Sequence, residues 1–205
     1  MLIKSDFKIT IIISSPSGAG KTTVTKNLLK KIKSSYLSVS CTTRDPRPGE
    51  INGTDYFFIS KDKFLKFKKE GKFIETARVF GNYYGTLKSE LKKNKYNIIF
   101  LDVDWQGARS IRKKIVKDCY SFYLLPPTLH ELKNRLISRH KDKKVFAMKR
   151  FSAAKKDILH WKEYDYIFIN DDLKQCLNKI TNKINALIKE KKEKDKVIKL
   201  IKSFN

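Results

Sequence analysis

Residues 14–23 read Ser14-Ser15-Pro16-Ser17-Gly18-Ala19-Gly20-Lys21-Thr22-Thr23, and their types and spacing suit phosphate chemistry. A polyphosphate needs many donors converging on its oxygens. Gly18 and Gly20 can take backbone angles closed to other residues, so that main-chain N–H groups face an anion. A helix starting near Lys21 adds its N-terminal amides and the positive end of its dipole. Lys21 then reaches the β- and γ-phosphates as a mobile cation, and the Thr22 hydroxyl sits on Mg²⁺. This is the pattern of a P-loop, except that its first position, ordinarily glycine, is Ser15. Ser15 is expected to turn the chain without positive φ. The substrate class implied is a nucleoside triphosphate.

The flanking elements fit that chemistry. An apolar run, Ile9-Thr10-Ile11-Ile12-Ile13, predicts a strand over 9–14, and a helix follows over 21–33. Further strands are expected at Tyr36–Ser40, Tyr56–Ile59, Asn97–Val103, Ser121–Leu125 and Tyr166–Ile169. Helices are expected over 61–70, 87–94, 105–114, 128–138 and 145–162, with extended chain over 72–85. Ser60 or Asp62 caps the first of these, and Asp171 or Asp172 caps a last helix with an apolar stripe from Leu173 to Ile188. The alternation argues for an α/β fold with a parallel sheet covered by helices.

Other residues carry chemistry of their own. Arg44 and Arg47 lie three apart in a Pro-braced turn, where two guanidinium forks could hold a second phosphate. The alternative is a pair of surface arginines. Glu75 follows Phe73-Ile74, which suggests a carboxylate directed into a pocket. The buried strand Ile98-Ile99-Phe100-Leu101 ends in Asp102, a Walker-B-like acid near Mg²⁺ and Lys21 unless it caps the next helix.

Taken together, these motifs resemble the guanylate kinases from about residue 9 to residue 190. The resemblance rests on the P-loop, on Ser38–Tyr56 with its Thr-Thr-Arg-Asp-Pro-Arg-Pro-Gly, on Phe73-Ile74-Glu75, on Gly81-Asn82-Tyr83-Tyr84-Gly85-Thr86 and on Leu101-Asp102-Val103-Asp104-Trp105-Gln106-Gly107. It implies a P-loop NTPase-type fold with a small mixed GMP-binding insertion over about 41–86 and a lid over about 139–150. It implies Mg²⁺-dependent transfer of the ATP γ-phosphoryl group to GMP, with dGMP as a second acceptor. ATP is assigned to Ser15, Pro16, Ser17, Gly18, Ala19, Gly20, Lys21, Thr22 and Thr23, with Asn170 near the adenine. GMP is assigned to Ser40, Arg44, Arg47, Tyr56, Glu75, Tyr84, Thr86 and Asp104. Glu75 becomes the guanine reader, because a carboxylate accepts N1–H and N2–H₂ in parallel, whereas adenine presents an acceptor at N1. Thr22 and Asp102 serve the metal. Lys21, Arg44, Arg139 and Arg150 are the catalytic residues, countering repulsion between two polyanions and the charge of the transition state.

The lid departs from the family. His140 stands where a glycine usually follows the first lid arginine, and Lys143 and Lys144 replace an acidic run. This bears on lid flexibility and not on reaction type.

Composition bounds the alternatives. A chain of 205 residues with 40% hydrophobic and 12% aromatic residues suits one folded domain. No apolar run reaches the roughly 20 residues of a membrane span. Met1–Asp6 lacks the apolar region and cleavage site of a signal peptide, and Cys41, Cys119 and Cys176 are widely spaced. A cytoplasmic protein is expected. The formal charge of +25 is spread over every helix, so a lysine-rich surface is favoured over specific nucleic-acid binding. The basic segment over about 189–205 reads as a solvated helical extension, and oligomerisation is left open. Competing readings are a kinase for another monophosphate, a non-catalytic module of guanylate-kinase type and a nucleic-acid-binding protein. An intact Lys21 and Thr22 argue against the second.

Overall fold

The computed structural model describes residues 8–93, 96–139 and 144–204. The expectations on Met1–Asp6, His140 and Lys143 lie outside the described residues. Strand β1 (Ile9–Ser14) runs through the small-residue loop into helix α1 (Lys21–Lys31) and then β2 (Ser35–Leu37). The short strands β3 (Cys41–Thr42) and β4 (Phe57–Phe58) follow, then α2 (Lys61–Lys69) and the hairpin of β5 (Phe73–Val79) and β6 (Asn82–Leu87). Next come β7 (Ile98–Asp102), α3 (Trp105–Lys114), β8 (Cys119–Leu125) and α4 (Leu129–Arg139). The chain ends with α5 (Lys144–Ile158), β9 (Tyr166–Ile169) and α6 (Leu173–Lys202).

The main sheet has the order β2-β7-β1-β8-β9 and every pairing in it is parallel. Alternate residues of its central strands serve opposite faces. Ile9, Ile11, Ile13, Ile98 and Phe100 pack with Val24 and Leu28 of α1 and with Cys176, Ile180, Ile184 and Leu187 of α6. Ile12, Ile99 and Leu101 pack with Ala108 and Ile111 of α3 on the other side. A strand buried on both faces must be apolar throughout, which is why β1 and β7 read as unbroken runs.

A smaller mixed sheet, β4-β3-β6-β5, lies over the carboxyl end of the main one. Its far side is closed by α2, whose Phe64 stacks on Phe73 and Tyr83. Ser60 caps that helix by accepting from the Lys63 N–H at 3.2 Å, and Asp172 caps α6 by accepting from Gln175 at 2.7 Å. A register shift between Phe73 and Glu75 sets Glu75 opposite Thr86, while Ile74 packs into the main core.

Several elements differ from the sequence pattern, among them β3, which was not expected, and β4, which spans only Phe57–Phe58 of the expected Tyr56–Ile59. The strand expected at Tyr36–Ser40 stops at Leu37, and a helix expected over 87–94 is a 3-10 turn at Lys88–Lys92. One buried group joins the two. The buried carboxylate of Glu90, in that turn, accepts from the Tyr36 hydroxyl and from the Val39 N–H. The helix expected over 145–162 ends at Ile158 and continues as a 3-10 turn at Leu159–Glu163. Here the Tyr123 hydroxyl takes the Asp157 carbonyl at 2.7 Å, a group that the helical ladder would otherwise use.

Candidate active site

The loop between β1 and α1 has Gly18 at φ +93° and Gly20 at φ +96°, while Ser15 is not among the positive-φ residues. Ser15 thus occupies the first position of the loop without positive φ. A Cβ on Gly20 would fall 2.3 Å from Asn170 Nδ2, so nothing but glycine fits there. That Asn170 amide is buried and donates to the Ala19 carbonyl at 2.8 Å. Across a trans peptide the N–H points away from the carbonyl, so holding the Ala19 oxygen toward Asn170 turns the Gly20 N–H the opposite way. Arg135 of α4 in turn donates to the Asn170 carbonyl at 3.3 Å. The Lys21 ammonium lies between the Asp102 carboxylate and the Val103 carbonyl, 3.1 Å from the latter.

Across from the loop stand four arginines. Pro48 and Gly49, the latter at φ +81°, turn the chain so that Glu50 faces back on Arg44 and Arg47. The Glu50 carboxylate accepts from Arg44 Nη2 at 2.9 Å and from the Arg47 N–H at 2.8 Å. Burial pulls the Arg44 pKa down, but Glu50 and the Tyr84 hydroxyl outweigh it and the net shift is upward. The Arg44 guanidinium also lies 5.5 Å from the Tyr56 ring, which meets Tyr84 edge-on. Arg47 is pulled down by burial and by the charges of Arg44 and Arg139. Arg150 falls to about 10, first through burial and then through Arg47 and Arg139. Guanidinium groups held together against their own repulsion suit an anion that relieves it. Arg150 reaches the P-loop itself, donating from Nε and Nη2 to Ser17 Oγ at 3.1 and 2.8 Å.

Deeper in, Glu75 is 4% exposed on the inner face of β5. Thr86 Oγ1 donates to Glu75 Oε1 at 2.8 Å, and Ser40 Oγ lies 3.0 Å from Thr86 Oγ1. Thr86 has one proton and gives it to Glu75, so Ser40 must donate to Thr86. Burial, and secondarily the charge of Asp104, lifts the Glu75 pKa to about 7 against the Thr86 hydrogen bond. A Cβ on Gly107 would lie 2.9 Å from Glu75 Oε2, so the start of α3 closes on this carboxylate with no room for a side chain.

One cavity of about 550 Å³ takes in every expected site residue except Ala19, Thr86 and Asn170. Those three stand one layer back, Ala19 and Asn170 bonded to each other and Thr86 bonded to Glu75. The acidic pair also divides its work. Asp102 meets Lys21, while Asp104 caps α3 by accepting from the Gly107 N–H at 2.8 Å with Oδ1. The helix cap weighed for Asp102 thus falls to Asp104, which still lines the cavity.

Sequence reasoning missed Glu50, Gly107, Arg135, Asp157 and Phe80 as parts of the site. Glu50 had a signal, since an acid after Arg-Pro-Gly can fold back on the arginine. Asp157 lines the cavity and is pushed up by burial and by Asp104, although a hydrogen bond from Trp105 opposes this.

Comparison with known proteins follows the same lines. Residues 8–188 match the family model described as guanylate kinase. The chain is similar to the guanylate kinase of Maricaulis maris (strain MCS10), at 44% identity over 181 residues covering 87% of this chain and 83% of the relative. It is 41% identical to the guanylate kinase of Wolbachia pipientis wMel over 197 residues, covering 95% and 98% respectively. Its fold is similar to that in the crystal structure of guanylate kinase from Anaplasma phagocytophilum, with a TM-score of 0.74 at 33% identity and coverage of 88% and 86%.

Proposed function

The chain belongs to the guanylate kinase family and phosphorylates GMP with ATP, and from this premise we propose which residues perform each part of the reaction. The P-loop amides, Lys21 and Thr23 hold the triphosphate. Arg44, Arg47, Tyr56 and Tyr84 hold the acceptor phosphate, and Glu75 reads the guanine. An acceptor phosphate oxygen attacks the γ-phosphorus in line, that P–O bond forms, and the bond to the β–γ bridging oxygen breaks with its electron pair leaving on ADP. The attacking phosphate oxygen is already anionic, so no side chain has to remove a proton. Positioning and charge therefore carry the catalysis. Lys21, Arg139 and Arg150 neutralise charge on the transferring group, and Arg44 does so on the acceptor.

Thr22 and Asp102 are the residues that would hold Mg²⁺. Both line the cavity beside Lys21, and one hydroxyl with one carboxylate suits an ion that keeps waters and binds phosphates. Held there, Mg²⁺ would supply positive charge against the donor phosphates, adding to that of Lys21. We place the reaction in the cytoplasm. Among the described residues no helix is long and apolar enough to cross a membrane, and the three cysteines are unpaired.

The observation that carries this reading is that the P-loop, the arginine turn and Glu75 open onto a single cavity. The deciding experiment measures ADP release with GMP, dGMP, AMP, CMP, UMP and dTMP offered in turn. Turnover with the guanine nucleotides alone is expected, and preference for any other base would refute the assignment of Glu75. Lys21→Ala should abolish turnover while GMP still binds; wild-type turnover in that variant would remove Lys21 from the mechanism.

A further inference from the structure

Phe80 and Gly81 form the two-residue turn between β5 and β6, with φ of +47° and +84°. Positive φ at both positions defines a type I′ hairpin, whose first position favours Asn, Asp or Gly. A phenylalanine in the left-handed region is strained, and strain retained in a bulky residue points to work done by its side chain. That side chain is not part of the hairpin's own core around Phe64 and Phe73. It lines the cavity instead. The Phe80 ring lies 6.1 Å from Phe146 of α5 and 5.0 Å from the Arg150 guanidinium, which is itself 5.6 Å from the Phe146 ring. Arg150 packs against a ring from the acceptor-side hairpin and a ring from the lid-side helix that also meet each other, with its fork on Ser17 of the P-loop.

We propose that Phe80 is a positioning residue that couples the acceptor sheet to the lid, seating Arg150 for phosphoryl transfer through the Phe80–Arg150–Phe146 clasp. The inference rests on the reading of Arg150 as a phosphate-side arginine. Glu75 and Tyr84 belong to the same hairpin as Phe80. An acceptor nucleotide held by those two residues therefore fixes the strand pair whose tip holds Arg150. Coupling of this kind favours transfer to GMP over transfer to water.

The test uses Phe80→Asn, because asparagine fits the left-handed turn better than phenylalanine while removing the ring. The unfolding midpoint of F80N should equal or exceed that of the wild type. Its kcat should fall about tenfold, the factor given by the loss of about 1.4 kcal/mol in the transition state, with KM for ATP and GMP within about twofold. Phe80→Tyr should retain kcat. Phe146→Ala should resemble F80N, and the double variant should be no worse than the weaker single one, as for two parts of one contact. Wild-type kcat in F80N, a change confined to KM, or losses that multiply in the double variant would each overturn the proposal. Arg150→Ala separates the two levels. Wild-type kcat in that variant removes Arg150 from the mechanism, whereas an impaired R150A beside a normal F80N refutes only the role of Phe80.

Discussion

At the scale of single residues, the protonation of Glu75 makes the sharpest demand. Burial lifts its pKa from an ordinary 4.5 to about 7, so between those pH values the free enzyme holds a proton there that the unfolded chain has lost. This group thus makes folding less favourable as pH rises from 4.5 to about 7, with its contribution most favourable below that window. The proposed guanine contact needs the ionised form, which accepts two N–H groups. GMP binding near pH 6 should therefore release up to one proton. Calorimetry at that pH in two buffers of different ionisation enthalpy measures it, and identical enthalpies in both would count against the guanine contact. KM for GMP should rise as pH falls below 7, by up to about tenfold per unit. Glu75→Gln keeps the shape but offers one acceptor and one donor to two donors. KM for GMP should rise by about a hundredfold, in line with two mismatched buried groups at about 1–3 kcal/mol each, and the proton release should shrink to the part that the GMP phosphate itself gives up. Gly107→Ala should raise the same KM without touching KM for ATP, because its Cβ would press on Glu75 Oε2.

At the scale of elements, the P-loop depends on a brace from a distant strand. Asn170, just past β9, holds the Ala19 carbonyl, and Arg135 of α4 holds the Asn170 carbonyl. Asn170→Ala leaves a buried carbonyl unpaired and frees the peptide that presents the Gly20 N–H. KM for ATP should rise about tenfold with KM for GMP unchanged, and the unfolding midpoint should drop by about 2–8 °C. A parallel rise in both KM values would show a general loss of structure instead of a loosened loop. Asn170 also illustrates what sequence could reveal. Its proximity to the ATP side came from family resemblance, yet its partner Ala19 is 151 positions away and no local pattern joins them. β1, α1, α3 and β9 were legible because the spacing of apolar residues decides them locally. β2 and the Lys88–Lys92 turn were not, because the Glu90 carboxylate of that turn binds Tyr36 and Val39, 54 and 51 positions away. The arginine turn was legible from spacing and proline, while Gly107 and Phe80 owe their roles to what other elements bring against them.

At the scale of the whole molecule, the question is where the working domain ends along α6. Cys176, Ile180, Ile184 and Leu187 face the core, and the family match stops at residue 188. Lys191 still ties the helix to the body through Asp118 at 3.1 Å, and pairs with Asp195. Beyond it the apolar residues are exposed, with Val197, Ile198, Leu200, Ile201 and Phe204 between 40% and 74% exposed. A helix stabilised by tertiary contact should contribute to the fold only as far as those contacts run. Ending the chain after Asp195 should therefore leave kcat within about twofold and the unfolding midpoint within about 2 °C, since less than about 0.5 kcal/mol is at stake for surface residues away from packed features. Ending it after Ile180 would remove Ile184 and Leu187, two fully buried side chains worth about 2–5 kcal/mol each when truncated, and should unfold the domain at moderate temperature. Thermal denaturation and ADP-release assays on the two shortened chains measure the contrast. A large loss of stability in the first would mean that residues 196–204 pack against the body of the domain after all.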